Sequence, residues 1–185
     1  MKKFIGVFLA IILIISQSTL VFADKNGANL NLKCKSAVLM DVTSGKVLYE
    51  KNCHEKLPPA SVTKVMTMLL ICEAVESNKI KLTDEVTVSE TASSMGGSQI
   101  FLEPNETQTV DTLLKGIAVA SANDACVAMA EYIGGSIEGF VDMMNNKAKE
   151  LGMKDTNFVN TNGLPVDNHY TCLLYTSPSP RDRSL

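Results

Sequence analysis

The chain has 185 residues, of which 45% are hydrophobic and 20% are charged, and its formal net charge is -3. This length predicts one domain or part of a larger one, and the composition is that of a globular protein rather than a disordered one. The mildly acidic balance argues against nucleic acid as a partner, because nucleic-acid binding favours a basic face.

The N-terminus has the composition of an export signal. Lys2 and Lys3 precede an apolar run, and small residues follow up to Ala23. This order is typical of a secretory signal peptide, so we expect residues 1–23 to be removed. An uncleaved membrane anchor is the alternative, because the apolar run approaches the roughly 20 residues that span a bilayer. Both interpretations place the rest of the protein outside the cytoplasm.

The next segments are predicted from their periodicity. Two β-prone runs at residues 37–40 and 46–50 flank a turn of Asp, Ser and Gly residues, which predicts a hairpin. A helix over residues 60–77 follows two prolines. Five of its apolar residues recur at helical spacing and are expected to face the core: Val62, Val65, Met66, Leu69 and Leu70.

The middle of the chain is expected to pass from extended to helical structure. A short strand over residues 84–90 and a long polar loop over residues 93–108 lead to two apolar helices, which break at residues 121–124. Thr109 is the predicted N-cap of the first helix, and Ser136 is the predicted N-cap of a third, amphipathic helix. Strands followed by a block of helices predict an α/β (α+β) fold.

The composition changes at Cys172. Residues 172–185 are rich in Ser, Pro and Arg and show no period, which is typical of a disordered tail. They also resemble the translation of sequencing adapters. We interpret them as non-native, so that residues 24–171 are the native part of the domain.

Five cysteines are present, an odd number without metal-type CxxC spacing. Cys72 and Cys126 lie in apolar helical patterns and are interpreted as core thiols rather than a disulfide pair. Since no phosphate-binding glycine loop or metal-ligand cluster is recognisable, no cofactor or metal is expected.

Ser61 and Lys64 lie one turn apart at the start of the first predicted helix. Serine needs an adjacent base to act as a nucleophile, and a lysine can be that base if burial keeps it neutral. The alternative is a helix cap followed by a solvated lysine. A chain of this length contains such an SxxK pair by chance about once, so the pair alone favours the alternative.

Ser121 and Asn123 form an SxN pair between two apolar helices. An ordinary inter-helix turn, with Asn123 or Asp124 as a cap, is the simpler interpretation. However, an SxxK at a helix start followed by an SxN between helices is the pattern of the penicillin-recognising serine enzymes.

The sequence resembles the low-molecular-mass D-alanyl-D-alanine carboxypeptidases, whose nucleophile helix typically reads P-A-S-x-T-K-x-M-T. The resemblance starts from "PPASVTKVMTMLLICEAVE" and also includes "GGSQIFLEPNE" and "TVDTLLKGIAVASANDACVAMAE". It covers about residues 35–171. Many relatives have glycine at the positions of Asn105 and Ala122.

The resemblance implies a role for each matched residue. Ser61 would be the acylated nucleophile and Lys64 its base, while Ser121 would relay a proton to the leaving group. Asn123 would bind the substrate amide and position Lys64. The implied fold is that of DD-peptidases and β-lactamases, an antiparallel sheet flanked by helices with a helical subdomain. The implied partners are stem peptides ending in D-Ala-D-Ala and β-lactam antibiotics.

The family's third motif, K-[ST]-G, does not occur in this sequence, and neither do its C-terminal β-rich domain and membrane-binding helix. We therefore expect an N-terminal portion of such an enzyme, with an incomplete sheet and an incomplete site. Contact with a membrane surface would come only through the absent C-terminal anchor.

Two rival functions remain open at this point. A serine β-lactamase would share the fold but would need a further carboxylate on a late loop, and a non-catalytic penicillin-binding or wall-binding module would not need a competent Lys64. His54 is interpreted as a surface or capping residue. His169 is interpreted as a structural residue, in a loop that borders the substrate site in the family that the sequence resembles. Asp124 is interpreted as a first-turn helix acid.

Overall fold

The computed structural model describes residues 30–172. The chain divides after Lys33 into two compact units, and every described helix and strand belongs to the second unit. The expected signal peptide and the residues after Cys172 lie outside the described part. Within residues 30–172 no helix is both long and apolar enough to cross a bilayer.

The predicted hairpin is confirmed. Strand β1 (Ala37–Met40) pairs antiparallel with strand β2 (Val47–Lys51), with one irregularity in the register near the turn. The carboxylate of Asp41 accepts a hydrogen bond from the Ser44 backbone N–H at 2.7 Å and closes the turn. A short polar side chain that binds the backbone two or three residues later is the usual reason for aspartate at such a turn.

The first helix begins with a 3-10 turn (Ala60–Val62) and continues as α1 (Thr63–Glu76). The predicted apolar stripe is wrong in part, because Met66 and Leu70 are buried while Val62 and Val65 are exposed. The buried face also carries polar residues of the first turns, which face a later segment of the chain rather than solvent.

The orientation of α1 also determines whether its cysteine is buried. Cys72 is exposed, so its interpretation as a core residue is wrong, whereas Cys126 is fully buried as expected. All five cysteines are free thiols.

A second small sheet pairs β3 (Glu85–Thr87) antiparallel with β4 (Thr107–Thr109). Between them lies a one-turn helix, α2 (Glu90–Ser93), whose start is capped by Ser89. The expected long loop therefore contains structure that the sequence did not indicate. Strand β4 consists of three polar residues and lacks the alternation that identifies a strand.

Three helices complete the fold: α3 (Val110–Ala120), α4 (Asn123–Gly134) and α5 (Ile137–Glu150). The predicted caps Thr109 and Ser136 each accept a hydrogen bond from a backbone N–H of the first turn. The break between α3 and α4 is shorter than expected, because Asn123 and Asp124 already belong to α4.

Helix α4 is the centre of the core and packs against α1, α2, α3 and α5. All residues from Asn123 to Ala130 are buried. Four of these eight are alanine or cysteine, and such small side chains let neighbouring helices approach closely at the packing density of protein interiors.

Phe140 and Phe101 provide a matched test of this core, because Phe140 is completely buried and Phe101 is 81% exposed. We expect Phe140→Ala to lower the free energy of unfolding by about 3–5 kcal/mol through lost burial and a residual cavity. Phe101→Ala should change it by less than about 0.5 kcal/mol. Urea unfolding of the purified variants measures both; equal effects would contradict this assignment of the core.

Candidate active site

Ser61 lies in the 3-10 turn before α1, and its side chain is exposed. The preceding Ala60 has a φ of 48°, in the left-handed region that non-glycine residues rarely adopt. Backbone strain of this kind occurs mainly where the surrounding structure holds it and is often found at functional sites. The turn presents the Ser61 hydroxyl at the surface, where an external molecule can reach it.

Lys64 is the opposite case, because it is only 3% exposed. Its Nζ donates a hydrogen bond to the backbone carbonyl of Asn162 at 2.7 Å and lies 3.3 Å from the Ser61 Oγ. A lysine is rarely buried without such partners. The interpretation as a solvated surface lysine is therefore wrong, and the pair has the contact that proton transfer requires.

Burial lowers the pKa of Lys64, because desolvation disfavours the charged ammonium. The thiol of Cys126 in α4 interacts electrostatically with Lys64 and would oppose this shift as a thiolate. However, burial raises the pKa of Cys126 to about 12, so the thiol is neutral near neutral pH. The environment therefore favours a neutral amine, the form that can accept a proton from Ser61.

The SxN pair lies at the junction of α3 and α4. Ser121 has a φ of 56° and ends α3, and its side chain is half-buried. Asn123 is buried; its Nδ2 donates to the Gly96 carbonyl and its backbone N–H donates to the Ser98 carbonyl, both at 2.7 Å. The expected hydrogen bond of Asn123 to a substrate and its positioning of Lys64 remain predictions.

Asp124 fixes the loop between α2 and β4. Its fully buried carboxylate accepts hydrogen bonds from the backbone N–H groups of Ile100 and Leu102, both at 3.1 Å. It does lie in the first turn of α4, as expected, but its main contacts are with this loop. Asn123 and Asp124 together attach residues 96–102 to the start of α4.

The segment around Asn162 and Gly163 belongs to the site. The resemblance placed the loop of residues 163–170 beside the substrate site, but the sequence assigned a role to neither Asn162 nor Gly163. Gly163 has a φ of 87°, and a Cβ at this position would overlap the Ala60 carbonyl and lie 3.0 Å from the Ser61 backbone nitrogen. Only glycine permits this approach. The Asn-Gly dipeptide was a visible turn signal, but the sequence did not show that the turn touches Ser61.

The two histidines agree with their interpretations from sequence, since His54 is exposed and His169 is buried. The sequence did not predict that ligand atoms of His54, Asp155 and Cys172 lie within 4.8 Å of one another. Lys56 lies 3.7 Å from the Asp155 carboxylate and competes with a cation there. Cys172 also falls in the stretch interpreted as non-native, so we assign no metal to this cluster.

Residues 23–177 match the D-alanyl-D-alanine carboxypeptidase family, peptidase S11. The chain belongs to this family. The D-alanyl-D-alanine carboxypeptidase DacF of Bacillus subtilis is 54% identical over 174 residues, which are 92% of this chain and 45% of that protein. The corresponding DacC of Escherichia coli is 42% identical over 147 residues, covering 76% of this chain and 37% of that protein.

Solved structures of carboxypeptidases and penicillin-binding proteins have the same fold. DacD from Francisella tularensis superimposes with a TM-score of 0.78 at 37% identity, covering 81% of this chain and 36% of that one. Penicillin-binding protein D2 from Listeria monocytogenes, in its ampicillin-bound form, superimposes with a TM-score of 0.70 at 30% identity. The match covers 80% of this chain and 60% of that one. The expected DD-peptidase fold with an incomplete sheet is confirmed. The chain spans less than half the length of DacF from Bacillus subtilis and of DacC from Escherichia coli.

Gly163 offers a direct test of the site's construction, with Gly96 as a control. Gly163→Ala should lower the thermal unfolding midpoint by several degrees, because its Cβ would overlap Ala60 and its backbone conformation disfavours a side chain. Gly96→Ala should have little effect, since its Cβ would meet nothing within 4 Å. Equal midpoints for the two variants would show that the contact with Ala60 does not form.

Proposed function

We propose that the full-length protein is an exported serine D,D-carboxypeptidase of cell-wall maturation. It would remove the terminal D-Ala from peptidoglycan stem peptides through an acyl-enzyme, and β-lactams would acylate the same serine. The observation that carries this proposal is the contact of an exposed Ser61 hydroxyl with a buried Lys64 amine at 3.3 Å. The names of the carboxypeptidase relatives and the ampicillin-bound relative support it.

The first half of the reaction follows from the contact of the exposed Ser61 hydroxyl with the buried Lys64 amine. Neutral Lys64 accepts the Ser61 proton, and the Ser61 oxygen attacks the carbonyl carbon of the penultimate D-Ala. The tetrahedral intermediate then collapses with cleavage of the peptide bond. The terminal D-Ala leaves after its nitrogen has received a proton, for which Ser121 is the proposed relay from Lys64.

In the second half, water attacks the acyl-enzyme ester. Lys64, again neutral, accepts a proton from the water, and the ester bond breaks. The proton returns to the Ser61 oxygen, and the shortened peptide is released. The Ser61 backbone N–H is the proposed half of the oxyanion hole, and Asn123 the proposed partner of the substrate amide.

Export is part of the proposal, since the substrate lies outside the cytoplasm. The composition of residues 1–23 supports a secretory signal peptide. Attachment to the extracytoplasmic face of the membrane would come from a C-terminal anchor in the full-length protein. No cofactor takes part in the proposed reaction.

A fluorescent penicillin tests the nucleophile in the complete protein encoded at the native locus. We expect covalent labelling of the wild type and of Ser94→Ala, an exposed-serine control, and complete loss of labelling in Ser61→Ala. Labelling that persists in Ser61→Ala would refute the assignment. Slow release of the label, with release of D-Ala from a D-Ala-D-Ala peptide, distinguishes a peptidase from a β-lactamase with rapid turnover and from a non-catalytic module.

The pH dependence of acylation tests the base. Below the pKa of Lys64 the ammonium cannot accept the Ser61 proton, so the acylation rate constant should rise with pH through that pKa. Because burial lowers this pKa, the rise should occur below the range around pH 10.4 where an unperturbed lysine titrates. Lys64→Arg stays protonated and should lose about 100-fold to 10,000-fold in rate. A rate that stays flat with pH, or full activity of Lys64→Arg, would contradict a base role for Lys64.

A further inference from the structure

His169 is a buried histidine that the proposed reaction does not use. It is 4% exposed, and its Nδ1 accepts a hydrogen bond from the Val159 backbone N–H at 3.0 Å. Because this nitrogen accepts, the ring proton of the neutral imidazole lies on Nε2. Nε2 therefore donates to the Thr63 Oγ1, which lies 2.8 Å away. The ring thus connects the backbone at Val159 to the first turn of α1.

Two further side chains of α1 bind the same segment. The Thr67 hydroxyl donates to the Thr161 carbonyl at 2.6 Å, and the Lys64 Nζ donates to the Asn162 carbonyl at 2.7 Å. Residues 159–162 are therefore held along α1 at three successive points. We call this arrangement the α1 clamp, formed by Thr63, Lys64 and Thr67 on the helix side.

We propose that His169 is a positioning residue for Lys64, holding residues 159–162 through Thr63 so that the Asn162 carbonyl stays where it orients the amine toward Ser61. His169 contacts neither Ser61 nor Lys64 by hydrogen bond among the described contacts, so it acts through the α1 clamp. The inference rests on the proposed function, because it concerns the base of that reaction.

A purely structural role makes a different prediction. His169 packs edge-on against Phe158, with ring centroids 5.9 Å apart, and loss of this packing would destabilise the fold. Packing alone would not alter the protonation of Lys64. In the α1 clamp, by contrast, release of residues 159–162 would open Lys64 to water and remove part of the desolvation that lowers its pKa. The position of the acylation pH profile therefore separates the two roles.

The shift of the acylation pH profile can be assigned to Lys64 only if neighbouring ionisable groups do not change charge in the same pH range. Cys126 is the ionisable residue of α4 that acts on Lys64, and it stays neutral over the range of the experiment because its pKa is raised to about 12. Burial also lowers the pKa of His169, which favours the neutral ring. A movement of the profile therefore reports the surroundings of Lys64 itself.

The first experiment measures penicillin acylation against pH in His169→Ala and in His54→Ala, which removes an exposed histidine. We expect His169→Ala to lose about 10-fold to 100-fold in acylation rate constant and to shift the rising limb to higher pH. His54→Ala should match the wild type. An unchanged rate, or a loss equal at every pH without a shift, would overturn the proposal.

The second experiment is a double-mutant cycle that uses conservative changes, in case His169→Ala does not fold. In His169→Asn the amide oxygen can still accept from Val159 but cannot reach Thr63, and Thr63→Val removes the hydroxyl without changing the side-chain shape. Both changes break the same link, so the double variant should be no slower than the slower single variant, within about twofold. If the rate loss of the double variant equals the product of the two single-variant losses, the proposal is overturned.

The two experiments also separate this inference from the proposed function. If the wild type is not labelled by penicillin at Ser61, the proposed function fails. If the wild type is labelled and the acylation pH profile of His169→Ala is the same as that of the wild type, only the positioning role of His169 fails.

Discussion

The buried amine of Lys64 is the constraint around which the described part of the molecule is arranged. An ammonium group removed from water costs several kcal/mol unless it is paired or hydrogen-bonded, and it otherwise shifts toward its neutral form. Here the group has a carbonyl of Asn162 and the hydroxyl of Ser61 as partners, and no carboxylate is hydrogen-bonded to it among residues 30–172. This environment supports proton acceptance rather than a stable ion pair.

Several features of the fold follow from this constraint. The inward face of α1 carries Thr63, Lys64 and Thr67 because these side chains face protein partners rather than solvent. Lys64 and Thr67 bind the carbonyls of Asn162 and Thr161, and Thr63 contacts the His169 ring. Apolar residues such as Val65 then lie on the outer face of the helix. The small side chains of α4 and the absence of a side chain at Gly163 let backbone and helices approach the pair closely.

The site joins segments that are far apart in the chain, and each is held by its own local interactions. The strained turn at Ala60 presents Ser61, the α3–α4 junction presents Ser121 and Asn123, and the clamp fixes Asn162. Such preorganisation reduces the rearrangement that a reaction would require. Asn105 adopts a φ of 64°, a conformation that asparagine tolerates better than most residues.

The sequence by itself determined the hairpin, the helix caps, the helical block and the motif pair Ser61 and Lys64, because these depend on local periodicity and on short spacings. It could not determine which face of α1 is buried, since polar side chains bind a partner a hundred residues away. For the same reason it missed strand β4, the exposure of Cys72 and the roles of Asn162 and Gly163. Only the tertiary structure decided these, because burial and hydrogen bonding between distant segments leave no periodic signal in the chain.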